Sequence, residues 1–206
     1  KSDQAAGVNG LLADRWRQLL WVTFTKSIEA YPIAGPFDKP VYRLDGEFRK
    51  FSADRKGNIW LPSVKSQSVI LTYDEGIQVL PSGVTPLQVP CSKKDLRNET
   101  VSVVCPAADS LVYIGTDGSL FVYNRLKGTC HRIESGLGYV RDIVESPEHR
   151  LYMVCVKKGI CQLMADDSLR VIAPYKKYRA LACDQEERLW IGDEYGDVWQ
   201  WIPGAD

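Results

Sequence analysis

The chain has 206 residues, of which 45% are hydrophobic, and its 26 basic and 26 acidic side chains give a formal net charge of zero. This composition is typical of a folded globular protein and excludes intrinsic disorder. The balanced charge removes the electrostatic case for nucleic-acid binding. No segment approaches the roughly 20 apolar residues of a membrane helix, and residues 1–7 lack the apolar core of a signal peptide, so we expect no membrane contact by this region.

One aromatic position recurs along the chain. Its members are Trp21, Trp60, Tyr113, Tyr152 and Trp190, with spacings of 39, 53, 39 and 38 residues. A period near 39 is therefore kept throughout except for one insertion, which we assign to residues 84–100. Six Trp, ten Tyr, sixteen Gly and eleven Pro favour strands joined by tight turns.

Around each aromatic, apolar segments separated by turn residues predict a meander of strands. First strands are predicted at 8–13, 48–53, 101–105, 140–145 and 178–183. The aromatic-bearing second strands are predicted at 19–24, 58–62, 111–116, 150–155 and 188–193. Third strands are predicted at 28–31, 69–73, 120–123, 160–163 and 198–201. Fourth strands are predicted at 41–44, 77–80, 130–133 and 169–173, with none in the last repeat.

Four short antiparallel strands about every 40 residues indicate a β-propeller blade. The sequence therefore predicts an all-β fold: a single propeller domain or propeller fragment over 1–206, with five recognisable four-stranded blade repeats. These begin near 8, 48, 101, 140 and 178, and the last is incomplete. The five recurring aromatics are predicted to pack between blades, and Gly159 and Gly196 to have positive φ.

The motif around the aromatic resembles the two-component regulator propeller repeat, which occurs in the extracytoplasmic sensor regions of bacterial hybrid two-component systems. The best copies hold Asp54, Gly57 and Trp60 in the second repeat and 113–118 in the third. Two copies are degenerate, because Gln18 and His149 stand where Gly is usual. The resemblance implies a periplasmic or extracytoplasmic sensor propeller. Sensor regions of this family are larger, so a fragment of a longer propeller and a five-bladed ring both remain open.

The search for catalytic chemistry is negative. His131 and His149 are the only histidines and fall in different parts of the predicted repeats, and no phosphate loop or nucleophile elbow is present. We therefore predict a non-enzymatic region without metal or cofactor, although a kinase can lie elsewhere in a longer chain. Most of the six cysteines are expected to be buried thiols, while a Cys155–Cys161 bridge and a Cys91–Cys105 bridge remain open.

Turns between second and third strands share one face of a propeller with the links between blades. Side chains of that face offer planar rings and hydrogen-bond donors. The predicted ligand contacts are Tyr175, Lys176, Tyr178, Arg179 and Tyr195, with Lys157 and Lys158 at the rim.

Two functions follow. The first is a ligand-sensing propeller that detects a glycan or another small nutrient. The alternative is a propeller scaffold for protein–protein contact. Homodimer formation is compatible with either.

Overall fold

A computed structural model describes residues 7–15, 17–54, 57–62, 69–71, 85–87 and 99–203. In these ranges the chain contains nineteen β-strands, one short 3₁₀ helix and no α-helix. Over the same ranges, no helix has the length and apolar character needed to cross a bilayer. The chain divides into two compact units, Lys1–Val89 and Pro90–Asp206.

The first unit contains two antiparallel sheets, each with its strands in chain order. Sheet 1 consists of β1 (Val8–Asp14), β2 (Leu19–Phe24), β3 (Ser27–Pro32) and β4 (Tyr42–Asp45). Sheet 2 consists of β5 (Ser52–Ala53), β6 (Ile59–Pro62), β7 (Val69–Leu71) and β8 (Thr85–Leu87). Their shared core joins Trp21 and Ile28 of sheet 1 to Phe51, Ile59 and Leu61.

The second unit contains three sheets of the same design. Sheet 3 consists of β9 (Val101–Pro106), β10 (Leu111–Thr116), β11 (Ser119–Asn124) and β12 (Thr129–Ser135), with the 3₁₀ helix at Ala108–Ser110. Sheet 4 consists of β13 (Val140–Glu145), β14 (Leu151–Cys155), β15 (Gly159–Leu163) and β16 (Leu169–Ala173). Sheet 5 consists of β17 (Tyr178–Cys183), β18 (Leu189–Asp193) and β19 (Val198–Trp201).

The all-β prediction is confirmed, and the sheets are antiparallel meanders of the β-propeller type. Four of the sheets are complete four-stranded blades, and the last repeat, which was predicted without a fourth strand, forms the three-stranded sheet 5. The fourth strand of sheet 2, β8, lies at Thr85–Leu87, inside the predicted insertion. The segment 77–80, where a fourth strand was predicted, lies outside the described residues. Pro86 is acceptable in β8 because this is an edge strand.

In each repeat, the described residues of the turn before the second strand include one left-handed residue. The five are Gln18 (φ 56°), Gly57 (79°), Ser110 (64°), His149 (62°) and Glu187 (63°). The left-handed conformation is therefore present even where the residue is not glycine. Each residue with a Cβ lowers the stability of the fold by roughly 1–2 kcal/mol in this conformation.

An aspartate at the end of the first strand anchors the recurring tryptophan. The indole Nε1 of Trp21 donates to Asp14 Oδ2 at 3.2 Å, that of Trp60 to Asp54 Oδ2 at 3.4 Å, and that of Trp190 to Asp184 Oδ2 at 2.9 Å. Because the carboxylate also accepts backbone N–H groups of the following turn, it joins the turn to the packing surface.

The other two repeats lack both partners of this bond. Tyr113 and Tyr152 replace the tryptophan, and Ala107 and Ser146 stand six residues before them in place of the aspartate. A phenol ring has no N–H group to reach the carboxylate position. Ser146 still supports the turn, because its Oγ accepts the N–H of Arg150 at 3.2 Å. Tryptophan and aspartate therefore occur together in three repeats, where a hydrogen bond joins them, and both are replaced in the other two.

Burial of the recurring aromatics is uneven. Trp21, Trp60 and Tyr152 are no more than 1% exposed, as predicted, and Tyr113 is half-buried against the core of sheets 3 and 4. Trp190 departs from the prediction because its residue surface is 39% exposed. Trp190 occupies the same position in its strand pairing as Tyr152 does in sheet 4. The difference in exposure therefore depends on the residues that pack over the ring.

The cysteines are mostly buried thiols. Cys105, Cys155, Cys161 and Cys183 are free, which rules out both bridges considered above, and Cys130 is disulfide-bonded. Cys91 lies outside the described residues. Burial raises the pKa of Cys105 to about 12, so this thiol stays protonated at neutral pH.

Candidate ligand-binding face

Turns and links meet at one end of the sheets in the second unit, as the repeat predicts. The amide of Lys157, in the β14–β15 turn, donates to the carbonyl of Leu137 in the preceding link at 2.9 Å. A Cβ on Gly159 would lie 2.0 Å from the carbonyl oxygen of Ala173, so the β14–β15 turn approaches the next link too closely for any side chain. Gly159 and Gly196 both have positive φ, as predicted.

A charged cluster ties the link before β17 to the β18–β19 turn. Lys177 Nζ lies 2.6 Å from Glu194 Oε1, and Arg179 NH2 lies 2.9 Å from Glu194 Oε2. The backbone N–H of Glu194 also donates to the carbonyl of Lys177 at 3.1 Å. The hydrogen bond from Lys177, followed by that from Arg179, holds the pKa of Glu194 below its usual value despite partial burial. Glu194 is therefore a charged acceptor between two cationic donors.

Tyr195 stands beside this cluster with 70% of its surface exposed. Lys177 Nζ lies 4.9 Å from the centroid of its ring, within cation–π range. The turn is fixed by Asp193, whose Oδ1 accepts the N–H groups of Tyr195 at 2.8 Å and Asp197 at 3.0 Å. The ring is thus held at the surface by a locally bonded turn.

Two predicted contacts belong instead to the packing beneath the face. Tyr178 is 7% exposed and lies in the core shared by sheets 4 and 5. Tyr175 packs against this core, edge to face with Tyr178 at a centroid distance of 6.5 Å. Burial raises the pKa of Tyr178. These rings support the link that carries the charged cluster.

The remaining predicted lysines lie at the surface of the link and turns. Lys176 is exposed beside the cluster. Lys158 Nζ pairs with Glu134 Oε2 at 3.1 Å, near the end of β12. Lys157 is exposed, and its side chain borders Gly138, where a Cβ would lie 2.9 Å from Lys157 Cγ.

The end of the predicted insertion also reaches this type of turn. Glu99 Oε1 accepts a hydrogen bond from Ser119 Oγ at 2.8 Å, and its other oxygen accepts one from the Thr116 hydroxyl. Gly118 leaves room for the carboxylate, because a Cβ there would lie 3.1 Å from it. Glu99 thus borders the β10–β11 turn, while residues 88–98 of the predicted insertion lie outside the described residues.

Two members of the cluster, Lys177 and Glu194, were not among the predicted contacts. The strand register could have indicated them. Tyr178 pairs with Asp193, so Lys177, which precedes Tyr178, lies opposite Glu194, which follows Asp193. Chemically, the cluster offers an acceptor and donors beside an exposed ring, which suits a polar ligand with one flat face. Over the described ranges, no three His, Cys, Asp or Glu side chains are grouped as a metal site.

Solved structures share this fold at low sequence identity. Two extracellular domains assigned to hybrid two-component systems of B. thetaiotaomicron match 97% and 98% of the chain, at 14% and 13% identity and TM-scores of 0.69 and 0.70. The chain spans only 27% and 29% of those domains. Virginiamycin B lyase from Staphylococcus aureus matches 98% of the chain over 72% of its own length, at 12% identity and a TM-score of 0.66.

No protein-family model and no curated protein sequence matches the chain. Because extracellular domains of two-component systems and a lyase both occur among the structural matches, the likeness shows the fold and does not identify an activity.

Proposed function

We propose that this chain is a non-catalytic ligand-sensing propeller module, and that its ligand is a glycan. The observation that carries the proposal is the group formed by Lys177, Arg179, Glu194 and Tyr195. One carboxylate lies within 2.9 Å of two cationic donors, next to a ring that is 70% exposed. Neighbouring hydroxyls of a sugar need such a combination of acceptor and donors, and the apolar face of a sugar ring packs on an aromatic ring.

The rigidity of the turn supports binding at this group. Asp193 holds the turn through two backbone N–H groups, and Glu194 is bonded through both its backbone and its side chain. A polar site that is ordered before binding loses less conformational entropy when the ligand arrives. Neither a metal nor a cofactor is required for recognition of this kind.

An extracytoplasmic location is part of the proposal. It is supported by the disulfide at Cys130, since stable disulfides are typical of oxidising compartments, and by the extracellular domains among the structural matches. The proposed role is the sensor region of a two-component signalling protein, in which ligand binding to the propeller is transmitted to a separate output domain.

Calorimetry with a panel of neutral and acidic oligosaccharides tests the proposal. For a glycan that binds, we expect Glu194→Gln to weaken affinity about tenfold or more, because a charge-assisted acceptor is lost. Tyr195→Ala should weaken it roughly three- to tenfold through loss of ring packing.

Glu186→Gln is the matched control, because Glu186 pairs with Arg188 at 2.7 Å in the β17–β18 turn, at the opposite end of the same sheet. Its affinity should equal that of the wild type. Equal affinity for Glu194→Gln and Tyr195→Ala as well would move the site elsewhere. If no glycan binds, the scaffold function becomes the better explanation, and the exposed apolar side chains Trp190 and Val198 favour it.

A further inference from the structure

An arginine at the start of sheet 4 lacks an acceptor for its guanidinium. Arg141 is only partly exposed, and its Nε is buried without a hydrogen-bond partner. Its Cζ lies 5.6 Å from the centroid of the Tyr139 ring, so the side chain extends back toward the link that precedes β13. Within the described ranges, the guanidinium forms no hydrogen bond or ion pair. A partly buried cation without an acceptor is costly and therefore marks a position for a ligand.

The carboxylate that follows Arg141 in the sequence is engaged by backbone groups. Asp142 is 3% exposed, and its Oδ2 accepts the N–H of Leu181 at 2.6 Å. Its Oδ1 accepts the N–H of Ile143 at 3.0 Å. Asp142 therefore joins β13 to β17 of the next sheet, while Arg141 is left for another anion.

A β-bulge sets the position of Arg141. The register of β13 against β14 shifts between Val140 and Asp142, which makes Arg141 the extra residue. β17 has the same shift around Arg179. Because Leu181 of β17 is bonded to Asp142 of β13, the two bulges lie at the same end of neighbouring strands. Bulges redirect side chains and are frequent beside binding sites, and this one places Arg141 next to the strand that carries Arg179.

Two lysines add positive charge at this end of sheets 4 and 5. The side chain of Lys157 is exposed and borders Gly138 in the link before β13. Lys176 is exposed in the link before β17. Like Arg141, both side chains lack an acidic partner among the described residues. The summed field of these three cations attracts an anion to this end of the sheets.

We propose that the glycan bound at this face carries a carboxylate, and that Arg141 binds this carboxylate. The inference rests on the proposed function, because it names the class of sugar that the same face recognises. A guanidinium presents its N–H donors in a planar fork that matches the two oxygens of a carboxylate. A uronic acid would thus supply the acceptor that Arg141 lacks, while Glu194 and Tyr195 bind hydroxyls and a sugar ring.

Paired ligands test this preference by calorimetry. Each pair consists of an oligosaccharide that contains a uronic acid and its carboxyl-reduced form, in which a neutral hydroxymethyl group replaces the carboxylate. The wild-type chain should bind the acidic form at least about tenfold more tightly, because reduction removes a charge-assisted bidentate contact. Equal affinities for the two forms would overturn the inference.

Substitution of Arg141 shows whether this residue causes the preference. Arg141→Gln should weaken binding of the acidic form about tenfold and leave binding of the reduced form unchanged. Arg141→Lys keeps the charge without the planar fork and should retain part of the preference. Both variants should have thermal transitions close to that of the wild type, because the guanidinium forms no hydrogen bond with the described residues. A full preference in Arg141→Gln would contradict the assignment.

Arg150→Gln is the matched control. It removes an arginine from the opposite end of the same sheet, where Arg150 pairs with Glu187 at 3.7 Å. The control should keep the preference of the wild type. A loss as large as that of Arg141→Gln would show that net charge alone matters, and would overturn the inference.

The same titrations separate this inference from the proposed function. If both forms bind equally and Tyr195→Ala weakens both, the proposed function stands and the carboxylate assignment is wrong. If the acidic form is preferred through Arg141 but Glu194→Gln and Tyr195→Ala have no effect, the carboxylate assignment stands and the cluster around Glu194 is not the glycan site. If neither form of any pair binds, both proposals are wrong.

Discussion

Tyr152 and Trp190 occupy the same register in neighbouring sheets of one unit, so truncating each to alanine measures the effect of the covering layer. Tyr152 is 1% exposed and lies edge to face with Trp201 at 6.0 Å. Removing a fully buried ring costs the transfer free energy plus a cavity term, about 3–5 kcal/mol in total. We expect Tyr152→Ala to lower the free energy of unfolding by about this amount.

Trp190→Ala should be milder despite the larger ring. With 39% of its surface exposed, the residue has only part of the transfer free energy to lose, and water fills the space so that no closed cavity remains. We therefore expect a loss of about 2 kcal/mol, which includes its hydrogen bond to Asp184.

Urea unfolding followed by far-ultraviolet circular dichroism measures both losses. Because the chain has two compact units, the two variants should be compared in the transition of the second unit, which contains both residues. Equal losses for the two variants would refute the argument, since they would mean that Trp190 is covered in the monomer as completely as Tyr152.

Three further predictions concern local structure. Ser110→Gly should raise the free energy of unfolding by up to about 1 kcal/mol, because glycine accepts φ 64° without the cost of a Cβ, whereas Ser110→Ala should change it little; thermal denaturation compares the two. Gly159→Ala should strongly destabilise the second unit, because the new Cβ would meet the carbonyl of Ala173 at 2.0 Å; a transition temperature like that of the wild type would contradict the close approach. The hydrogen bond from Trp190, followed by those from Arg188, lowers the folded pKa of Asp184, so its carboxylate stabilises the fold above the unfolded pKa of about 3.9 and loses this effect as pH falls through the lower folded value. The stability difference between wild type and Asp184→Asn should therefore be constant from neutral pH to about pH 5 and shrink below about pH 4, as measured by urea unfolding at each pH.

The candidate site was only partly predictable. Arg179 and Tyr195 were expected at the end of the sheets where links and turns meet, and they lie there because the repeat period places the start of β17 beside the β18–β19 turn. Tyr178 was expected beside them, but its alternation along β17 turns it into the core. Glu194 was missed because its contact with Lys177 depends on the exact register of β17 against β18. A shift of one residue in that register would bring different side chains together.

The sequence by itself determined the type of fold, because a period near 39 residues with an aromatic at one register is visible without any long-range contact. It also located most strands, including β13, β17 and β19 with the observed bounds. The tertiary structure decided where the short edge strand β8 lies, since the apolar run at 77–80 satisfies the same local pattern. It alone decided that Trp190 is exposed while Tyr152 is buried, because burial depends on the neighbouring sheet and not on the residues that surround a side chain in the sequence.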